Sequence, residues 1–209
     1  MNNGLLLFLG IFFSVGLSWL SLLVGNQVNP DFGGLQPFSD QNTGAVVPTL
    51  MPGLARQGEQ VYQDLGCVNC HTQQVRREGV GADIERGWGQ RQSVSRDYIS
   101  QRQVFLGASR IGPDLRNVGE RLPSAEWHHH HLINPQINTP GSIMPAHAFL
   151  YETRKIVGQP SSDRLTLPGE LAPPEGYEVV PTWRAKALVA YLLNLKTNYE
   201  LPEARASHE

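Results

Sequence analysis

The chain has 209 residues, long enough for one domain with sizeable insertions or for two very small domains. Its 17 Lys plus Arg stand against 19 Asp plus Glu, a formal charge of −2, which argues against nucleic acid as a partner. Only two cysteines are present, both in one five-residue motif, so the chain is no disulfide scaffold and the pair reads as a local chemical device.

The first element in chain order is the run from Gly4 to Gly25, GLLLFLGIFFSVGLSWLSLLVG, which carries no charged residue. A helix needs about 20 apolar residues to cross the hydrocarbon core of a bilayer, and this run is long enough. A cleaved secretory leader is the rival reading. Against it, the first three residues hold no Lys or Arg, the run is too long for a leader's apolar stretch, and no small-residue cleavage site follows. Residues 1–25 are therefore expected to be a retained single-pass anchor. No Lys or Arg occurs before Arg56, so the charge rule for membrane orientation is silent here.

Residues 26–53 hold Pro30, Gly33, Gly34, Pro37, Pro48 and Pro52 and few apolar runs, and read as a linker rather than a folded unit. From Leu54 to Leu65 the spacing of Leu54, Gly58, Val61, Tyr62 and Leu65 predicts a helix with one apolar face. Gly66 is placed to end it in a left-handed turn.

Next comes Cys67-Val68-Asn69-Cys70-His71. C-x-x-C-H is the spacing at which two thiols reach the vinyl groups on one porphyrin edge while the adjacent imidazole turns under the iron. The rivals are a thioredoxin-like dithiol and half of a zinc site. A dithiol normally follows a strand, whereas this motif follows a helix. Zinc needs two further ligands, which the His128–His131 run contains. One covalently attached haem c, held by Cys67 and Cys70 with His71 as an axial iron ligand, is the expectation.

The second axial ligand is sought among three methionines. Met1 and Met51 fall in the anchor and the linker. Met144 lies in Pro140-Gly-Ser-Ile-Met-Pro145, a loop where a thioether can be aimed at iron and Pro145 stiffens the approach. His/Met ligation raises the reduction potential, as suits a carrier feeding an oxidant. A His from 128–131 or His147 is the alternative, and would lower it. Gly112-Pro113-Asp114-Leu115 resembles a stretch that in c-type cytochromes lays a proline against the imidazole and offers a backbone carbonyl to its ring N–H. Pro113 and Leu115 are thus expected in the haem environment. Arg110 and Arg121 flank the stretch, and either or both could pair with haem propionates through a planar two-bond fork.

Thr182 is placed to cap a C-terminal helix over 183–196, with Ala187, Leu188, Tyr191, Leu192 and Leu195 on its apolar face. Helices before the motif and at the C-terminus resemble the crossed terminal helices of small c-type cytochromes, with Gly58 permitting the crossing and Tyr62 and Tyr191 packing around it. Residues 72–109 and 146–181 are polar, rich in Gly, Pro and Arg, and are expected to be long irregular insertions. The fold class expected is all-α: one transmembrane helix plus a class I cytochrome c-like domain over 54–200, with a tail over 201–209.

Four ordered motifs carry a narrower resemblance. They are Cys67-Val-Asn-Cys-His-Thr-Gln-Gln-Val-Arg76, Ser109-Arg-Ile-Gly-Pro-Asp-Leu-Arg-Asn-Val-Gly-Glu-Arg121, Trp127-His-His-His-His-Leu-Ile-Asn-Pro135 and Pro140-Gly-Ser-Ile-Met-Pro-Ala146. With the anchor, they resemble subunit II of the cbb(3)-type cytochrome c oxidases, the monohaem cytochrome subunit. The resemblance implies a role: an electron is taken from another c-type cytochrome and passed to the haem-b and copper catalytic subunit, where oxygen is reduced. It also implies a bacterial cytoplasmic membrane location with the haem domain on the periplasmic side, where c-type haem is attached. Trp127, His128 and His131 match a family motif expected near the haem or at a subunit contact. His147 and the Pro-rich excursion over 152–178 depart from the family pattern. The alternative role is a free-standing anchored cytochrome c that shuttles electrons to another reductase or oxidase.

Overall fold

The computed structural model describes residues 3–28, 34–41 and 43–204. Its described residues form two compact units, one up to Pro48 together with Ser95–Ile99, the other Thr49–Val94 together with the chain from Ser100 onward.

The first unit begins with α1 (Gly4–Trp19), continues through a π-helical turn (Leu20–Val24) and ends its helical run in α2 (Gly25–Val28). Gly4–Val24 is 21 residues long with a mean hydropathy of 2.2, long and apolar enough to cross a membrane. Among the described residues none of this helix is buried, and most of its leucines and phenylalanines are more than half exposed. The stretch expected to be an unfolded linker carries a short antiparallel pair, β1 (Phe38–Ser39) on β2 (Val46–Val47). The turn between them is closed by Gly44 at φ 69°, whose N–H donates to the Asp40 carbonyl at 2.8 Å.

In the second unit the helix expected before the cysteine motif is α3 (Gly53–Asp64), and Gly66 follows at φ 70° in the left-handed region. Its buried stripe is Ala55, Gly58, Glu59, Val61 and Tyr62. Leu54, assigned to that stripe from its spacing, is half exposed. The helix packs closely on its partner at Gly58. The partner is α6 (Trp183–Asn194), which begins where Thr182 accepts the Ala185 N–H at 3.4 Å, a cap of about 1 kcal/mol. All five residues expected on its apolar face are buried.

Gly58 makes the crossing possible. A Cβ there would run into the Ala187 carbonyl and come within 2.7 Å of the Tyr191 Cβ. Tyr62 and Tyr191 pack beside it with ring centroids 5.4 Å apart and planes tilted by 55°, and Phe105 sits 5.6 Å from Tyr62. Between them run α4 (Val118–Arg121) and α5 (Ala125–Ile133), both resting on α6. Gly119 allows the first of these contacts, since its Cβ would lie 2.6 Å from the Leu193 carbonyl carbon.

The chain is mostly helical with few strands, but the irregular insertion expected over 146–181 is not wholly irregular. It contains β3 (Tyr151–Lys155) paired antiparallel with β4 (Tyr177–Pro181), Tyr151 opposite Pro181 and Lys155 opposite Tyr177. Leu165 bridges to Val179 on the other side of β4. Buried Glu178 pins the excursion by accepting from Arg154 Nε at 2.9 Å and from the Ser161 N–H at 2.7 Å. A strand pair whose halves are separated by this Pro-rich stretch has no short-range signal, which is why periodicity misses it. Of the tail expected from residue 201, Leu201 and Ala204 are buried and bridge to each other. Residues 205–209, Met1, and positions 29–33 and 42 of the expected linker lie outside the described residues.

Candidate functional site

After Gly66 the chain tightens into a single 3-10 turn, Cys67–Asn69. The Cys67 carbonyl accepts from both the Cys70 N–H (3.1 Å) and the His71 N–H (3.0 Å), so both thiols and the imidazole hang from one turn. Both cysteines are unpaired. Burial pushes the Cys67 thiol up to about 11, which keeps it protonated.

The His71 ring is fixed from the 112–115 stretch. Its Nδ1–H donates to the Pro113 carbonyl at 2.8 Å. Gly112 lies against the ring face, where a Cβ would come within 2.7 Å of Nδ1. Desolvation by burial lowers the imidazole below the usual histidine range, outweighing the Pro113 bond that raises it. With Nδ1 engaged, Nε2 is the nitrogen left to bind a metal.

Met144 reaches the same place from a loop tied at both ends to α5. Asn138 Nδ2 donates to the Trp127 carbonyl at 2.8 Å, and the His147 N–H donates to the Leu132 carbonyl at 2.7 Å. Gly141 turns the loop at φ 79°, and the Met144 N–H donates to Ser142 Oγ at 3.3 Å. His71 and Met144 thus line one two-lobed cleft, together with Pro113, Leu122, Trp127 and His131. Its outer lobe is about 470 Å³ and also takes in Cys70, Gly112 and Ile143. That is within the range of small-molecule sites. The inner lobe is closed by Leu115, Val118, Leu132 and Leu192, an apolar floor.

The two candidate arginines separate. Arg121 lines the inner lobe and donates through Nη2 to the Asp114 carbonyl at 2.6 Å, while its Nε is buried with no partner among the described residues. Arg110 lies elsewhere. Its guanidinium forks onto Asp83 and donates to the Gln74 carbonyl at 2.7 Å, and it stacks over Trp88 at 5.4 Å. Asp83, accepting also from the Arg76 N–H, is held below the usual carboxylate range by these bonds, which outweigh the cost of burial.

The four consecutive histidines also part company, because a helix aims successive side chains about 100° apart. His128 Nε2 donates to the Leu122 carbonyl at 2.9 Å, and His129 Nδ1 bonds the Tyr151 hydroxyl at 3.0 Å. His130 lies 3.9 Å from Glu126 on the same helix. Only His131 stacks on Trp127, at 4.7 Å and 11°, and its Nδ1 is buried without a partner. Among the described residues no group of three or more His, Cys, Asp or Glu is placed to hold a metal ion.

The donor set fits a haem. Two thiols on one turn, a neutral imidazole shelved on Gly112, a thioether in the same cleft and an orphaned buried guanidinium nitrogen meet its four chemical demands: covalent anchors, two axial donors and a propionate partner. The sequence did not mark Asn138 for these tasks, nor Thr72, whose hydroxyl donates to Asp114 at 2.5 Å. The adjacency of Thr72 to the motif was the only signal available.

No curated protein matches the chain. A family model described as cytochrome c oxidase, mono-heme subunit/FixO, matches residues 37–167, more than half of it. That span takes in the cysteine turn, the 112–115 stretch, α5 and the methionine loop. The chain belongs to this family of mono-haem, electron-transferring cytochrome c oxidase subunits, the one its four motifs resemble.

Proposed function

We propose that this chain is the monohaem cytochrome subunit of a cbb(3)-type oxidase, taking single electrons from another c-type cytochrome and passing them to the haem-b and copper catalytic subunit. The observation that carries the proposal is the convergence of His71 and Met144 on one cleft, with Cys67 and Cys70 on the turn at its edge. Haem c, when bound, supplies a one-electron couple at iron in place of any substrate chemistry.

Cys67 and Cys70 would hold the group covalently, thiol addition to a vinyl group being redox-neutral and so needing no oxidant. His71 would hold the iron through Nε2, its ring kept neutral by burial and oriented by Pro113. Met144 would hold it through its thioether, with Leu115, Val118, Leu132 and Leu192 giving the cleft an apolar floor. Arg121 would offer its orphaned Nε to a propionate. Trp127 and His131, stacked on each other, would give the group a flat wall. In this reading residues 1–25 are the anchor, 26–53 a tether and 54–200 the haem domain, on the periplasmic side of the bacterial cytoplasmic membrane.

The test is copurification of the full chain from membranes with a haem census. The proposal expects one haem c on this chain, and haem b and copper on a chain that travels with it. Haem c on this chain with no haem-b partner would instead make it a free-standing carrier.

A further inference from the structure

The Pro113 carbonyl is the hinge of the site, yet Pro113 cannot be held through its own nitrogen, because proline has no N–H. Backbone bonds exist only on either side of it: the Gly112 N–H donates to the Cys70 carbonyl at 2.9 Å, and the Leu115 N–H to the Thr72 carbonyl at 2.8 Å. The carbonyl belongs to the peptide unit that ends at the nitrogen of Asp114. Asp114 is fully buried. Its carboxylate accepts three hydrogen bonds from two segments: Thr72 Oγ1–H at 2.5 Å and the Gln74 N–H at 2.7 Å on one oxygen, and the Arg116 N–H at 2.8 Å on the other. Thr72 Oγ1 in turn accepts from Arg110 Nε at 2.9 Å, which polarises its hydroxyl toward Asp114.

We infer that Asp114 is a positioning residue for the haem ligand: its carboxylate clamps residues 72–74 to residues 113–116, keeps the Pro113 carbonyl on the His71 ring N–H, and so sets the basicity of the axial imidazole. This rests on the reading of His71 as an iron ligand. A buried carboxylate that accepts three hydrogen bonds and has Arg110 Nη2 3.7 Å away is costly to assemble, and neutral turn chemistry would close the same loop. Its use is rigidity at one carbonyl. An imidazole whose ring N–H is firmly held donates more electron density, which favours ferric over ferrous iron.

The experiment uses the haem-loaded full chain in detergent, with Asp114→Asn, Asp114→Glu and Thr72→Val. Asn reverses one acceptor to a donor, Glu keeps the charge but moves both oxygens by a methylene, and Val deletes one donor without touching charge. Each is expected to shift the ferric/ferrous equilibrium toward ferrous, Asp114→Asn by about tenfold, which is 59 mV for a one-electron couple. Each is also expected to speed exchange of the His71 ring N–H, followed by NMR in the ferrous state. Unchanged potential and exchange despite lowered stability would reduce Asp114 to a structural residue and overturn the inference. So would a shift confined to Asp114→Asn, which would make it a charge effect alone. If neither Asp114 variant loads haem, Thr72→Val decides by the same two readouts. A wild-type chain without a c-type spectrum would sink the haem reading itself, a separate result.

Discussion

Gly112 and the imidazole of His71 lie face to face with no room between them: a single added carbon at residue 112 would stand 2.7 Å from Nδ1. The glycine is there for clearance, since its backbone angles are open to any residue. Gly112→Ala is expected to tilt or displace the ring and destabilise the haem-loaded protein by about 1–3 kcal/mol, the usual cost of overpacking. Denaturant unfolding of the holoprotein, with electron paramagnetic resonance for the low-spin ferric signal, checks both effects. A variant with wild-type stability and spectrum would show that the ring does not rest on residue 112.

Met144→His is expected to lower the reduction potential strongly, because a thioether favours ferrous iron relative to a second imidazole. Met144→Ala is expected to lower it as well, with water or a neighbouring nitrogen taking the position. Potentiometric titration of the full chain measures this. An unchanged potential would hand the sixth position to another side chain, with His131, already on the cleft wall, the first to examine.

His129 links stability to pH. Burial first, and then the neighbouring His128 and His130, push its imidazole down to about 4 from an ordinary 6.5. A depressed histidine means that the unfolded chain binds the proton more readily than the folded one, so stability rises with pH across this interval. Its contribution is fully present above about pH 6.5 and is lost as pH falls toward 4. The size is on the order of 2 kcal/mol once screening at the exposed edge of the ring is allowed for. His129→Gln is expected to flatten the pH dependence of the denaturation midpoint between about pH 7 and pH 4. A slope identical to wild type would show that burial beside His128 and His130 does not hold His129 neutral.

Gly58→Ala gains helix propensity, about 1 kcal/mol at an open site. Here the added carbon meets the Ala187 backbone, which cannot rotate away as a side chain could. A net loss of about 2–4 kcal/mol is expected as the terminal helices are forced apart. Thermal unfolding reads it directly, and a neutral or stabilised variant would mean the crossing is looser than the structure shows.

Much of the site was legible because its chemistry is local. Cys67, Cys70 and His71 share one turn through covalent spacing, and Gly66 ends α3 with a left-handed residue that few others adopt. The terminal helices follow from apolar periodicity, and the apolar N-terminal helix from length and hydropathy. The sequence by itself therefore determined the cofactor class, the two framing helices and a helix long and apolar enough to cross a membrane.

The tertiary structure alone decided which donor meets which acceptor across long stretches of chain. Arg110 and Arg121 are indistinguishable by composition, but Asp83 claims the first and the cleft wall keeps the second. Four histidines in a row read as one cluster, until the helix turned them to four different neighbours. The pairing of β3 with β4 and the clamp of Asp114 on Thr72 depend on contacts between segments far apart in the chain. Local spacing is set by bond geometry, whereas such meetings are set by packing, and a pattern along the chain carries no record of them.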